Sequence, residues 1–206
     1  MTTWKIDPAH TDISFSAKHM MITTVRGKFA QVEGELELDE NDPRNSSGEI
    51  RVAAASLSTG FDARDQHLRS ADFFDVEAYP WIAVRTTSVK PKDDGTYAVT
   101  ADVTIRGVTK PVTFDVEFLG TTPGMRGGRH VGFTARAKVN RKVWGLNWNM
   151  ALEAGGWLVG DDIKLEIDVA GDEVAVATAA QAQAQDAEAA PAYGSRRGES
   201  AAAAVR

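Results

Sequence analysis

The sequence predicts an all-β fold of about eight antiparallel strands, closed as a barrel or packed as a sandwich. Two observations lead to this prediction. Apolar and polar residues alternate with a period of two through most of the chain, which is typical of strands with one buried and one solvated face. The stretches between these segments are rich in Gly, Pro, Asn and Asp and have no long helical period, as expected for hairpin connections.

The alternating segments follow one another along the chain and are separated by turn chemistry. A closed barrel suits them because each is apolar on one side only and closure leaves no unpaired edge strand. The expected connections cover residues 41–48, 91–95, 106–111 and 121–129. The expected strands cover residues 13–19, 33–38, 50–54, 82–84, 97–105, 112–118, 131–139 and 163–169.

The inward positions of these strands mix small residues with aromatic rings. An eight-stranded barrel has an interior that side chains fill or that holds one elongated ligand. Small residues opposite rings leave space, whereas interdigitation of the two gives a solid core, and the pattern leaves both alternatives open. The small residues are Ala17, Gly34, Ala54, Ala101, Ala135 and Ala137, and the rings are Phe15, Phe29, Phe114 and Phe133.

Residues 60–75, GFDARDQHLRSADFFD, interrupt the strand pattern. They predict a short helix from Ala63 to Ala71 that is capped by Asp62, since a carboxylate at that position accepts backbone N–H groups. Asp65 and Arg69 are four residues apart, the spacing of a favourable ion pair on a helix. The stretch therefore predicts a capped helix that crosses between two strands.

Two functions suit this stretch. Arg64, Asp65 and His67 are residue types that an acid–base site needs. Their spacing instead spreads them around a helix, with Leu68 and the Phe pair at 73–74 turned inward, which favours a lid across one end of a barrel. A second apolar segment, KVWGLNWNMALEAGGWLVGD over 142–161, is either core or an aromatic wall at a binding mouth.

Composition excludes several classes of function. The chain has 206 residues and no cysteine, so disulfides, thiolate catalysis and Cys-based zinc sites are excluded. The net charge is -6 and no compact Lys/Arg run is present, which argues against a nucleic acid partner. The N-terminal MTTWKIDPAH has no apolar run, and no stretch reaches the ~20 apolar residues of a membrane-spanning helix. We therefore expect a cytoplasmic protein without an integral membrane segment.

The sequence gives no support for a metal site or a hydrolytic triad. His10 and His19 lie on what reads as one strand, roughly 30 Å apart at ~3.3 Å per residue, too far to share one ion. HxH, HExxH and GxSxG motifs are absent, and PGMRGGR at 123–129 lacks the pattern of a phosphate-binding loop. We expect no catalytic residues, no metal and no cofactor.

The C-terminal segment has a different composition from the rest. Residues 175–206 are rich in Ala, Gln and Ser, with too little apolar bulk to offset the entropy of ordering. We expect a barrel domain over 1–172 and a disordered tail over 173–206. The alternative is a tail that forms a docking helix for a partner.

Several motifs, in order along roughly residues 3–170, resemble the YceI-like family. One alone is weak, but the ordered set is specific. They are W-x-I-D-P-A-H-x-D-I-x-F (4–15), His19, G-x-F (27–29), S-x-S-T-G (56–60), R-D-x-H-L-R-S-x-D-F-F-D (64–75), Y-P (79–80), T-I-R-G-V-T-K-P-V (104–112) and V-G-D-x-I-x-L-x-I (159–167).

The resemblance implies an eight-stranded antiparallel lipocalin-like barrel. It implies a long apolar cavity that takes a polyisoprenoid or an isoprenoid quinone, brings no catalytic activity, and makes a homodimer reasonable. The motif residues that carry over are His10, Phe15, His19, Arg64, Asp65, His67, Leu68, Phe73 and Phe74.

The predicted function is therefore non-covalent binding of a long apolar lipid in the barrel lumen. An enzyme acting on a bound lipid through Arg64, Asp65 and His67 is one alternative, and an interaction module that uses the tail is another. His10, Arg64, Asp65 and His67 are expected to brace the lid or meet a head group. The expected ligand-contacting residues are Ile13, Phe15, His19, Phe29, Leu68, Phe73, Phe74, Val99, Val103, Phe114, Phe133 and Trp144.

Overall fold

A computed structural model describes residues 1–124, 127–153 and 155–174. Of the tail predicted over 173–206, residues 175–206 lie outside the described residues. The secondary structure elements are β1 (Thr2–Ile6), β2 (Asp12–His19), β3 (Thr23–Phe29), β4 (Val32–Leu38), β5 (Ser47–Ala53), β6 (Leu57–Ser58), α1 (Asp62–Arg69), β7 (Trp81–Pro91), β8 (Tyr97–Ile105), β9 (Val108–Pro123), β10 (Arg129–Asn140) and β11 (Val159–Glu173).

The strand segments form one closed antiparallel barrel. β1 and β2 both pair with β11, β1 near Gly171 and β2 along 159–168, so they lie in line as one interrupted barrel strand. β3 and β4 form the second interrupted strand, and β5 and β6 form the third. With β7 to β11 these give eight barrel strands, and the pairing of β1 with β11 closes the ring. The predicted eight-stranded antiparallel barrel is confirmed.

A single serine hydroxyl supports two of the strand interruptions. Ser56 Oγ accepts the backbone N–H groups of Ala30 and Gln31, which separate β3 from β4. The same hydroxyl donates to the carbonyl of Ala53 at the end of β5, 2.7 Å away. Because both neighbouring strands leave the regular ladder at this point, their backbone polar groups need another partner, and Ser56 supplies it.

Several predicted boundaries are wrong. β1, β3 and β6 were not predicted, and the expected connection over 106–111 is a turn at Arg106 and Gly107, both with positive φ, followed directly by β9. Pro111 lies inside β9, opposite Asp102. β11 extends through Glu173, one residue into the segment expected to be tail.

The inward side chains form one apolar core that is continuous around the barrel. α1, with eight residues, joins β6 to the segment before β7. In the part of the chain that the structure describes, no helix is long and apolar enough to cross a membrane. The buried core residues are Ile6, Phe29, Val32, Val52, Ala54, Leu57, Ile82, Ala101, Val103, Val112, Phe114 and Trp144.

Candidate functional site

The barrel is hollow. A cavity of about 970 Å³ lies inside it, lined mostly by apolar side chains from the strands and α1. Ala17, Ala101 and Ala135, three of the six small inward residues, are on its wall, as are all four predicted rings. The alternative of a fully packed interior is therefore wrong, although the other three small residues, Gly34, Ala54 and Ala137, do not line the cavity.

β11 gives the length of the cavity. Val159 and Val169 both line it, as do Ile163, Leu165 and Ile167 between them. The strand bulges between Val159 and Ile163, where four steps of β11 lie opposite two steps of β2, so the segment spans about eight regular steps, or roughly 26 Å at ~3.3 Å per residue. With a strand tilt of about 40°, that is roughly 20 Å along the barrel axis. The cavity is therefore elongated and suits an extended chain.

Every residue that was expected to contact a ligand lies on the cavity wall. Period-two alternation placed the strand residues there because it fixes which side chains of a strand point inward, whereas Leu68, Phe73, Phe74 and Trp144 lie outside the strands. Contact of each with a ligand stays a prediction. These residues are Ile13, Phe15, His19, Phe29, Leu68, Phe73, Phe74, Val99, Val103, Phe114, Phe133 and Trp144.

His10 does not belong to this site. It lies in the turn between β1 and β2, with its side chain 78% exposed, and its Nδ1 pairs with Asp7 Oδ2. Because His10 lies in this turn and His19 ends β2, the interpretation of the two as members of one regular strand is wrong. His10 is outside the cavity lining, whereas His19 is part of it. The role expected for His10 at the rim is not supported by its position.

Asp65 is a buried residue of α1 that anchors the helix to Thr59. Its carboxylate is 4% exposed and accepts the backbone N–H of Thr59 at 2.8 Å and the Thr59 hydroxyl. Burial acts to raise the pKa of Asp65, but the hydrogen bonds from Thr59 and Ser58 and the charge of Arg69 outweigh it, so the pKa lies below its ordinary value. Asp65 is a bracing residue and does not line the cavity.

The start of α1 differs from the prediction. The N-cap is Phe61, which makes no side-chain capping hydrogen bond, so the expected cap by Asp62 is wrong. The predicted ion pair of Asp65 with Arg69 is also replaced, because Arg69 donates to the carbonyl oxygens of Ala55 and Leu57. Hydrogen bonds of Asp65 and Arg69 to residues 55–59, rather than local capping, hold this helix in place.

α1 and the segment that follows it close one end of the cavity with aromatic contacts. Phe74 meets Phe29 edge to face, with ring centroids 5.8 Å apart. His67 packs edge to face on Phe73 at 5.1 Å and on Trp148 at 4.5 Å. Such pairs favour edge-to-face geometry because of the ring quadrupole. The arrangement agrees with a lid that turns its apolar side toward the lumen.

The three tryptophans of the 142–161 segment have different environments. Trp144 is 2% exposed, lines the cavity and donates from Nε1 to the carbonyl of Val103 at 3.0 Å. Trp148 is half-buried and also lines the cavity, whereas Trp157 is 53% exposed and does not. The segment is therefore core at Trp144 and cavity wall at Trp148.

The sequence matches the model of a known protein family over most of its length. A model of the YceI-like domain matches residues 4–171. The chain belongs to the YceI-like family. A UPF0312 protein of Staphylococcus aureus (strain bovine RF122 / ET3-1) is 38% identical over 167 residues, which are 81% of this chain and 95% of that protein.

Solved structures share the YceI-like fold. BcnA of Burkholderia cenocepacia superposes with a TM-score of 0.69 at 20% identity, covering 80% of this chain and 98% of that chain. A YCEI protein of Campylobacter jejuni gives 0.65 at 27% identity, covering 77% and 90%. A polyisoprenoid binding domain from Saccharophagus degradans gives 0.62 at 12% identity, covering 84% and 100%. The first and the third show the fold alone.

Sequence reasoning missed two basic residues of this YceI-like cavity. Arg141 was not considered, and period-two alternation puts Lys18 on the outward face of its strand, yet both line the cavity. Arg141 is only 3% exposed. No local pattern could identify these residues, because they reach the cavity through the folding of the 141–158 segment back onto β2 and β11.

Arg64, Asp65 and His67 do not converge as an acid–base group would. Arg64 and Asp65 both bind Thr59, whereas His67 Nε2 pairs with Asp72 Oδ2 at 2.9 Å. Arg64 and His67 line the cavity. Within residues 1–124, 127–153 and 155–174, no three His, Asp or Glu side chains gather as metal ligands.

Proposed function

We propose that this YceI-like protein binds one long apolar lipid chain, a polyisoprenoid or an isoprenoid quinone, non-covalently inside the barrel. The observation that carries the proposal is the elongated cavity of about 970 Å³, whose wall is almost entirely apolar. Preformed apolar cavities with few polar groups are typical of sites for such ligands. The polyisoprenoid binding domain of Saccharophagus degradans, which has the same fold, supports this choice of ligand.

The length of the cavity suits a chain of several isoprene units. The cavity extends roughly 20 Å along the barrel axis by the strand geometry above. One leaflet of a membrane has a hydrocarbon depth of about 15 Å, half of the ~30 Å core. A chain that fills the cavity is therefore longer than one leaflet is deep, and several isoprene units would contact the wall along its whole length.

Burial of the chain supplies enough free energy for firm binding. Each CH₂ contributes about 0.8 kcal/mol, so a five-carbon isoprene unit contributes roughly 4 kcal/mol before ordering costs. Association costs about 4–15 kcal/mol in lost freedom. About four buried units therefore offset the upper estimate of that cost, and longer chains bind more tightly.

A variant that fills the cavity tests the proposal. Ala135 lines the cavity from β10, and Arg136 is the next residue, on the outward face. Delipidated wild type, Ala135→Trp and Arg136→Trp are incubated with geranylgeraniol and examined by native mass spectrometry. We expect one bound ligand per chain in wild type and Arg136→Trp, and at least about tenfold weaker binding in Ala135→Trp.

The outward variant controls for the added ring and for folding. Thermal unfolding of both variants shows whether the barrel is intact. If folded Ala135→Trp binds geranylgeraniol as tightly as Arg136→Trp does, the ligand does not occupy the lumen and the proposal is wrong.

A further inference from the structure

An exposed apolar surface lies on the outside of the barrel, where β2 turns into β3. It combines this turn with two short segments before β11, 150–152 and 156–158, which pair with each other. The backbone N–H of Met20 donates to the carbonyl of Leu158 at 2.8 Å and joins the turn to these segments. We call this surface the apolar tip, and its exposed side chains are Met20, Met21, Ile22, Met150 and Trp157.

The apolar tip lies at a mouth of the cavity. His19 and Leu158, which adjoin the tip in the sequence, both line the cavity. Trp148, which precedes the paired segments, packs on His67 of α1 with 4.5 Å between the ring centroids, so the tip is at the α1 end. Phe61, at the start of α1, lines the cavity and is 58% exposed, so the cavity reaches the surface at this end.

The backbone of the tip presents its side chains to solvent. Met20 and Met21 have φ values of 50° and 65°, a conformation that is uncommon for residues other than Gly. Ile22, the next residue, is 79% exposed. Backbone strain of this kind is concentrated at functional sites, and a contiguous exposed apolar patch marks a surface that binds a partner.

Two rows of mainly basic residues cross the outer face of the barrel beside the tip. Each row takes one outward residue from β10, β11, β2 and β3, which pair side by side, and the second row is roughly 7 Å further from the tip at ~3.3 Å per residue. Five basic residues face one acidic residue in these rows, although the net charge of the protein is -6. The first row is Lys138, Lys164, Ser16 and Arg26, and the second row is Arg136, Glu166, Ser14 and Lys28.

The basic side chains of the two rows face solvent together. The serines between them are small, and they line a groove of about 440 Å³ with Arg26, Lys28 and Lys164. Lys138 pairs with Asp162 at 2.7 Å, so one charge of the first row is offset within the protein. The rows nevertheless keep an excess of positive charge next to the apolar tip.

A membrane that contains anionic lipids fits both features. Peripheral membrane proteins place apolar side chains in the interface and basic side chains against lipid phosphates, and the exposed ring of Trp157 suits that interface. A second copy of this chain fits less well. A two-fold interface sets the same patch against itself, and that arrangement would bring the two sets of basic rows together at a cost in free energy.

We propose that the apolar tip and the two basic rows form a docking face for an anionic phospholipid membrane. The tip enters the lipid, and the rows lie against the phosphate groups of the adjacent surface. Docking uses the outside of the barrel, so it is independent of what fills the lumen and goes beyond the proposed lipid binding. It places a mouth of the cavity at the membrane, where a lipid chain has access to the lumen.

Vesicles of two compositions test the docking face. Delipidated full-length protein is sedimented with vesicles of phosphatidylcholine alone and with vesicles in which phosphatidylglycerol replaces part of it, at constant ionic strength. We expect at least about tenfold tighter binding to the anionic vesicles, and weaker binding as salt is raised. No binding, or equal binding to both compositions, would overturn the proposal. Geranylgeraniol binding is measured separately by native mass spectrometry, so a failure to dock leaves the proposed function intact.

A pair of double variants tests the position of the charge. Arg26→Gln with Lys164→Gln removes two charges of the first row and is expected to weaken binding to anionic vesicles at least about tenfold. Arg85→Gln with Lys90→Gln removes the same charge from β7, outside the four strands of the rows, and is the matched control. Equal losses in the two double variants would show an effect of net charge alone and would overturn the docking face.

A pair of single variants tests the apolar tip. Ile22→Ser is expected to weaken vesicle binding at least about fivefold, because the side chain no longer enters the lipid. Leu119→Ser is the matched control, since Leu119 is also exposed but lies toward the other end of the barrel, beside Gly132. Equal binding by the two variants would overturn the role of the tip.

The oligomeric state without vesicles separates a membrane from a second copy as the partner. Wild type and Ile22→Ser are compared by analytical ultracentrifugation, and we expect the same state for both. A wild-type dimer that becomes a monomer in Ile22→Ser would assign the tip to an interface between copies and overturn the membrane proposal.

Discussion

Replacement of Asp65 by Ala removes the main anchor of the lid helix. Asp65 accepts the N–H and the hydroxyl of Thr59, and both bonds are shielded from water. A hydrogen bond to a charged group contributes about 1.5–3 kcal/mol. Two such bonds, less the relief of carboxylate burial, give an expected loss of about 3 kcal/mol in the free energy of unfolding.

The size of the loss is large enough for a simple thermal assay. For a protein of this length each kcal/mol lowers Tm by about 2–4 °C, so Asp65→Ala is expected to unfold about 6–12 °C below wild type. Asp62→Ala is the matched control, because Asp62 is exposed and makes no capping hydrogen bond. Its free energy of unfolding should change by less than about 0.5 kcal/mol. Equal Tm values for the two variants would refute this account of the helix anchor.

The remaining predictions concern stability. The pKa of Asp65 is below its ordinary value, so its contribution is complete above about pH 5 and is lost as pH falls below about 4. The difference in free energy of unfolding between wild type and Asp65→Asn should therefore shrink in acid. A difference that stays constant with pH would contradict this role of the Asp65 carboxylate. Gly34→Ala places a Cβ where it overlaps the carbonyl oxygen of Glu49 and should cost about 3 kcal/mol in urea unfolding, whereas a neutral result would contradict this close approach. Trp144→Phe leaves the buried carbonyl of Val103 without its donor and should cost about 2 kcal/mol, and an unchanged urea midpoint would contradict that role.

The strand pattern was predictable wherever a strand is regular, and failed where it is interrupted. The long alternating runs of β8, β10 and β11 were identified because each keeps one face on the core through its whole length. β1 has only five residues, and the two residues of β6 are too few for a period to show. β1 and β6 are strands because they pair with strands that are distant in the sequence, and a short stretch of sequence does not contain that information.

The apolar wall of the site was predictable, but its polar end was not. Alternation places Phe15 and Phe133 inward without any knowledge of the fold. Arg141 lies in a short turn with no periodic pattern, and its burial results from carbonyls at Leu146 and Gly160 that the fold brings to it. Asp62 has the right residue type for a helix cap, yet the tertiary bond of Asp65 to Thr59 decides how the helix starts.

The most direct test of the central claim is the ligand that the protein carries after expression in bacteria. Purified protein is extracted with organic solvent and the extract is analysed by mass spectrometry, beside a lipid-binding protein of known content. A cavity roughly 20 Å long predicts one polyisoprenoid or isoprenoid quinone per chain. Extracts that repeatedly contain no long-chain lipid, while the reference protein releases its own, would contradict the account.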